Sequence, residues 1–280
     1  MRHLVLVLVV LLAWGGFAWS GLVQRDRARL APGEEALRVR LPLPVQLVYS
    51  GGDSFLAANL NVFRSLMVGV SVTEEETYRV QARLQQDASF FNPWHEDNYY
   101  VGAAILPWNG QVEAAQLILL RGSNARTWDM WPPFYYAFNA MYFERDMHRA
   151  GQWAEVAALR HPRNAAALRS MAAAWYERED DPEIAMNILR AMHEQSRDEN
   201  FRLLLEARIA RLEGLRVLRN ASVEYLARHG KGADSLEELI GYSGLTALPV
   251  DPLQLGYVLA ENGQPQLADH NVQRKNHEPD

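Results

Sequence analysis

The sequence predicts an all-α protein: a solenoid of helical hairpins stacked into a right-handed superhelix and preceded by one transmembrane helix. Three observations carry this. Leu4 to Gln24 contains no charged residue, apolar residues recur at helical spacing through most of the remaining chain, and small residues recur 35 positions apart in successive helix pairs. The chain has 280 residues, 49% of them hydrophobic, enough apolar material for a core in one or two domains.

Composition removes several functions. A net charge of −6 does not supply the concentrated basic face that phosphate neutralisation needs, so no nucleic-acid partner is expected. The absence of cysteine excludes disulfide scaffolds, thiolate zinc sites, thiol nucleophiles, iron–sulfur clusters and the acylated cysteine of a lipoprotein.

At the amino terminus, residues 1–24 read as a signal-anchor. The run LVLVLVVLLAWGGFAWSGLVQ, beginning at Leu4, is about 20 residues long, close to the hydrocarbon thickness at 1.5 Å per residue. Trp14 and Trp19 lie towards its carboxyl end, where indoles favour the membrane interface, and Arg25, Arg27 and Arg29 end it. A cleaved signal peptide is the competing reading: Arg2 forms a short basic head and Ala18-Trp19-Ser20 offers small residues before a cut. The arginine flank by itself keeps the body of the chain in the cytoplasm, whereas a short basic head before an apolar run resembles a bacterial signal-anchor that exports it. The reading adopted is a single-pass protein of the bacterial inner membrane with its bulk in the periplasm.

Residues 25–52 mix Arg, Pro and Gly and read as a linker, with Val45 to Tyr49 as a short strand. A helical domain occupies residues 53–229. Gly51-Gly52-Asp53-Ser54 supplies a turn and a cap before Phe55, Leu56, Leu60, Phe63, Leu66 and Met67, whose spacing predicts a buried helical face. Thr73 with Glu76 forms a capping box for a second helix through Tyr78, Val80, Leu84 and Phe90. Then Gly102-Ala103, Asn109-Gly110, Ala115 and Gly122 place small residues where two helices must approach, and a shift of 35 carries Ala115 to Ala150 and Ala150 to Ala185. Asn200 to His229 reads as one long helix that caps the stack, with Phe201, Leu205, Ile209, Leu212, Leu215 and Leu218 on its stripe and Arg202, Arg208, Arg211 and Arg219 off it. Residues 230–262 form a capping segment with a short helix begun by Ser235 and Glu238, a Pro-rich turn at Asp251-Pro252 and a short strand at Tyr257-Val258-Leu259; residues 263–280 read as a disordered tail.

The stretches 96–129, 131–162 and 165–198 resemble the tetratricopeptide repeat (TPR), a 34-residue helix–turn–helix unit with small residues at its close contacts and a proline near its end. Departures mark these repeats as divergent. Tyr99 stands at the usual tryptophan position and Thr127 at the terminal proline of the first unit; Phe134 and Phe138 replace the aromatic-then-glycine pattern in the second; Leu168 and an extra residue at Asp180-Asp181-Pro182 distinguish the third. The resemblance implies a TPR-like solenoid whose concave face takes a protein or peptide. Residues 235–259, SLEELIGYSGLTALPVDPLQLGYVL, are similar to the end segments of pseudopilin-like and repeat-containing proteins near pilus and secretion systems. That likeness implies an envelope setting.

Chemistry-bearing motifs are sparse. The eight His form no HExxH, and no GxxxxGK[ST], GxGxxG or GxSxG occurs, so no metal, cofactor or catalytic residue is expected. Trp94-His95-Glu96-Asp97 is the densest titratable cluster, placed at a helix start where the dipole favours acids. Aromatic density is the most informative feature: 14 rings fall between Phe90 and Phe143. Tyr99, Phe138 and Tyr142 sit at core spacing, but Trp128 and Trp131 flank the inter-repeat loop Trp128-Asp129-Met130-Trp131-Pro132-Pro133. Rigid aromatics of this kind form binding hot spots. The candidate peptide-binding set is therefore Trp128, Trp131, Tyr135, Arg126, Arg145 and Arg149. The expected function is a membrane-tethered scaffold or adaptor for a pilus or secretion apparatus. The alternatives are an envelope enzyme acting on glycan or peptidoglycan, with Glu96 or Asp97 as acid or base, and a cytoplasm-facing inner-membrane adaptor.

Overall fold

The structure, a computed structural model, describes residues 41–68 and 75–268, together with Val10, Leu12 to Gly16 and Trp19. The rest of the expected transmembrane segment, most of the linker, the Thr73 half of the capping box and residues 269–280 lie outside the described residues. No helix of the described residues is long and apolar enough to cross a membrane. They are mostly helical, and the chain divides into two compact units, residues 1–118 and 119–280.

In the first unit, α1 (Leu43–Tyr49) replaces the expected strand. Pro44 does not prevent it, because in a first helical turn the missing N–H has no intrahelical acceptor to lose. Gly51 and Gly52 turn the chain with φ of 67° and 85°, and Asp53 Oδ1 then accepts the N–H groups of Phe55 and Leu56 at 2.8 and 3.1 Å, starting α2 (Ser54–Val68). The expected buried face of α2 is inverted. Phe63 and Met67 are 66% and 71% exposed, and Phe55, Leu56 and Leu66 are exposed with them, while Ala57, Ala58, Asn61, Val62 and Ser65 face inward. Small residues allow α2 to lie close on α3 (Glu75–Phe91), and the inward polar side chains are joined between helices. Asn61 Nδ2 donates to Gln46 Oε1 (2.5 Å), Gln46 Nε2 to Asp87 (2.9 Å), Gln85 Nε2 to Ser65 Oγ (2.6 Å) and Gln81 Nε2 to the Ser65 carbonyl (3.0 Å). Next come α4 (Glu96–Ile105), capped by His95, and α5 (Val112–Ala125), within which the division between the units falls.

The second unit continues with α6 (Trp131–Tyr142), α7 (Met147–Arg160), α8 (Ala165–Tyr176), α9 (Pro182–Gln195) and α10 (Glu199–His229). Helix starts recur regularly along the sequence: Val112, Met147 and Pro182 are 35 residues apart, and Glu96, Trp131 and Ala165 are 35 and 34 apart. Ala137, Ala140, Ala150, Ala154, Ala172, Ala173 and Ala185 have no exposed surface, so the helices of this unit pack on methyl groups. Gly151 is stricter still: a Cβ there would lie 2.4 Å from Tyr176 Cε1, so α7 and the α8 tyrosine meet through a bare backbone.

The 31-residue α10 is capped by Asp198, which accepts the Phe201 N–H, and closed by Gly230 at φ 72°. Of its expected stripe, Phe201, Leu205, Leu212, Leu215 and Leu218 are buried and Ile209 is half-buried, and one residue placed off the stripe is buried too. Arg211, placed off the stripe by its charge, is 3% exposed. Its guanidinium donates to Asp251 (2.8 Å), Glu177 (3.3 Å) and the carbonyls of Gly256 (3.3 Å) and Ala268 (2.8 Å). Asp251 also accepts the N–H groups of Leu253, Leu255 and Gly256, which folds the Asp251-Pro252 turn around one carboxylate. The short helix expected near Ser235 is a single 3-10 turn, Glu237–Leu239. Residues beyond Gly263 are not all tail: β1 (Tyr257–Leu259) pairs antiparallel with β2 (Pro265–Leu267), Val258 opposite Gln266. The Tyr257 hydroxyl donates to the Arg211 carbonyl (3.0 Å) over Gly214, docking this hairpin on α10.

Candidate interaction surface

The loop joining α5 to α6 is built around Asp129. Its Oδ1 accepts the Trp131 N–H (3.0 Å), and its Oδ2 accepts from Arg126 Nε (2.9 Å), both charged side chains being largely shielded. Arg160, reaching from the end of α7, donates to the carbonyls of Arg126 (3.3 Å) and Asp129 (3.1 Å), so both ends of the loop are fastened to the next hairpin. Burial lowers the Arg160 pKa, a shift that Asp129 opposes. Upon this frame Trp128 is 62% exposed with the Arg126 guanidinium 5.5 Å from its ring centre, and Trp131 is 40% exposed. Trp131 stacks on Tyr135 (5.6 Å, 23°) and meets Phe134 edge-on (5.8 Å). Four of the six expected residues, Arg126, Trp128, Trp131 and Tyr135, therefore form one cluster. They are pre-ordered by ion pairing and stacking, which lowers the entropic cost of docking a ligand there.

Arg145 and Arg149 are not part of that cluster. They lie beyond the opposite end of α6, a helix of 12 residues and so about 18 Å long. Arg145 is exposed at φ 58°, where the chain leaves α6. Arg149 is paired with Asp146 (2.7 Å) and Glu144 (3.5 Å), and the hydrogen bond it donates to Asp146 raises its pKa. Glu96 and Asp97 occupy the exposed first turn of α4. Trp14 and Trp19 are exposed, and Leu4 lies outside the described residues.

An open cleft of about 680 Å³ is lined by Glu155 and Leu159 of α7, Arg169 of α8, Met192 of α9 and the segment before α10. Burial raises the Glu155 pKa, against the hydrogen bond from Tyr176 and the charge of Arg169; the same carboxylate, with burial, raises that of Tyr176. The folded chain thus retains the Glu155 proton at pH values where the unfolded chain has lost it. Stability from this group is present at low pH and lost as pH rises through the interval above the ordinary glutamate value. Glu155→Gln is expected to raise the urea midpoint at about pH 8 more than at about pH 5, flattening this part of the profile. Equal shifts at both values would mean that Glu155 is as well solvated in the folded chain as in the unfolded one. Among the described residues no group of three or more His, Asp and Glu is placed to hold a metal ion. The chain matches no known protein family, no curated protein and no solved structure.

Proposed function

We propose that the chain is a membrane-tethered scaffold or adaptor, TPR-like in architecture, that docks a protein or peptide within a bacterial envelope assembly such as a pilus or secretion apparatus. The observation that carries the docking is the Trp128–Trp131 cluster: two exposed indoles, one on a loop fixed by Asp129, Arg126 and Arg160 and one at the first residue of α6. Exposed tryptophan flanked by arginine is the composition of an interface anchor. The recurrence of helix starts every 34 or 35 residues supports the repeat reading, since one helix pair cannot bury its apolar stripe alone. The uncharged run from Leu4 supports the tether, and the exposure of Leu12, Trp14 and Trp19 agrees with it.

Recovery of crosslinked partners from bacterial membranes with wild type and Trp131→Ala tests the docking site. The variant is expected to lose a partner, because truncating an anchoring tryptophan commonly weakens an interface by ~2 kcal/mol or more, roughly 30-fold. An unchanged partner list overturns the site while leaving the fold intact. Reporter fusions after Asp280 test the side of the membrane, with activity expected only outside the cytoplasm.

A further inference from the structure

We propose that α1 and α2 form a lipid-facing element lying in the membrane interface; this rests on the tether proposed above and adds a second, peripheral contact with the same bilayer. The sequence between residues 41 and 68 has two charged residues, Asp53 and Arg64, and Asp53 accepts the first N–H groups of α2. Val48, Tyr49, Phe55, Phe63, Leu66 and Met67 are exposed, a concentration of large apolar side chains in 28 residues and not the isolated exposed residue that is ordinary in water.

The interior of this pair identifies the medium outside it. A helix in water turns its large apolar residues inward, whereas α2 turns inward Asn61 and Ser65, which with Gln46, Gln81 and Gln85 make the interhelical hydrogen bonds described above. Apolar outside and hydrogen-bonded amides and hydroxyls inside is the arrangement of helices packed in lipid. A protein partner would leave polar groups on the contacting face to pair across it, but among the exposed residues of α2 from Phe55 to Met67 Asn59 is the polar one, with Arg64 half-buried. The next helix differs in its first turns: α3 exposes Glu75, Arg79 and Arg83 there, and Phe90 is its exposed ring at the far end.

Length and position agree. The 15 residues of α2 span about 22 Å, less than the ~30 Å hydrocarbon layer, so it lies along the surface and does not cross. Residues 25–42 separate the uncharged run from α1, a reach of at most ~65 Å when extended. They carry five arginines against three acids, a balance that suits an anionic lipid surface.

Because the chain has no cysteine, one introduced thiol reports one site. The full chain with Phe63→Cys, and separately with Arg79→Cys on the charged side, is labelled with an environment-sensitive fluorophore and reconstituted into phosphatidylethanolamine–phosphatidylglycerol vesicles containing nitroxide lipids. The probe at 63 is expected to shift to the blue and to be quenched several-fold more than the probe at 79. Both positions are exposed, so neither change removes core packing, and retained helicity is checked by circular dichroism. A blue shift without quenching means that protein covers the face, either a second copy or the chain's own apolar run, and overturns the proposal. Equal, water-like probes overturn it as well. A chain that floats with the vesicles while position 63 stays unquenched overturns the lipid contact alone; a chain that does not float overturns the tether and the contact together.

Discussion

Arg211→Leu is expected to lower the unfolding free energy by about 3–5 kcal/mol, because it leaves the buried Asp251 carboxylate without a cation and Glu177 with one of its two. In the folded chain Arg211 is the common partner of Glu177 and Asp251 and donates to the carbonyls of Gly256 and Ala268, which bracket the β1–β2 hairpin. Arg208 supplies Glu177 with a second guanidinium, but Asp251 is left with the backbone N–H groups of its own turn. The hairpin therefore loses its buried charged attachment and keeps the weaker ones: Tyr257 to the α10 backbone, Arg219 to the Pro265 carbonyl and Ser222 to the Gly263 carbonyl. Urea denaturation of the full chain measures the loss. Limited proteolysis locates it, since cleavage is expected to appear first between residues 249 and 268. Arg211→Lys keeps the charge but not the fork that reaches several acceptors, and is expected to recover only part of the stability. A midpoint unchanged in Arg211→Leu would mean that apolar packing of the hairpin is sufficient to hold it.

The second large effect belongs to Gly151. Adding one methyl group would place carbon within 2.4–2.8 Å of three atoms of the Tyr176 ring, itself almost fully buried between α7 and α8. Neither the ring nor the helix backbone can yield without disturbing the alanine contacts around them, so Gly151→Ala is expected to cost about 1–3 kcal/mol despite the higher helix propensity of alanine. A double-mutant cycle identifies the cause. Tyr176→Leu alone opens space and weakens the core, but in the Gly151→Ala background it is expected to be far less damaging, because the vacated volume receives the new methyl group. Additive losses would show that the two positions do not meet.

The helical character of the chain and the run of α10 from Glu199 to His229 are legible in the sequence because both rest on local periodicity. Leu205, Leu212, Leu215 and Leu218 repeat at intervals of three to seven, and Gly230 ends the helix in a conformation that glycine takes readily. The hidden features depend on groups distant in sequence. Periodicity finds the apolar stripe of α2 but carries no information on whether water, lipid or protein lies against it, so spacing alone assigns Phe63 and Met67 to the core. Arg211 reads as a solvated charge because its partners are 34 and 40 residues away. β2 has three residues and a proline, and only pairing with β1 makes it a strand. In the candidate site, the expected loop 128–133 is shorter than the sequence suggests, because Pro132 and Pro133 fit the first turn of α6. Trp131 is therefore its first residue and stacks on Tyr135 one turn on, and Trp128 alone of the two indoles is on the loop. The separation of Arg149 from them is not legible either, because it depends on Asp146 claiming that guanidinium next to its own helix start.

The network around Arg211 also bears on how the chain is made. Synthesis proceeds from the amino terminus, so Glu177, Arg208 and Arg211 are complete long before Asp251 and the Ala268 carbonyl exist. Until then a cation destined for the interior has one of its four acceptors, and α10 can dock on α9 only with that charge still hydrated. The second unit thus reaches its final packing after β2 has left the ribosome, and a nascent chain arrested before residue 251 presents an α10 whose middle is unfinished. Ribosome stalling at successive lengths would place the onset of protease resistance after the emergence of Ala268, a timing set by one arginine and not by the helices that make up most of the fold.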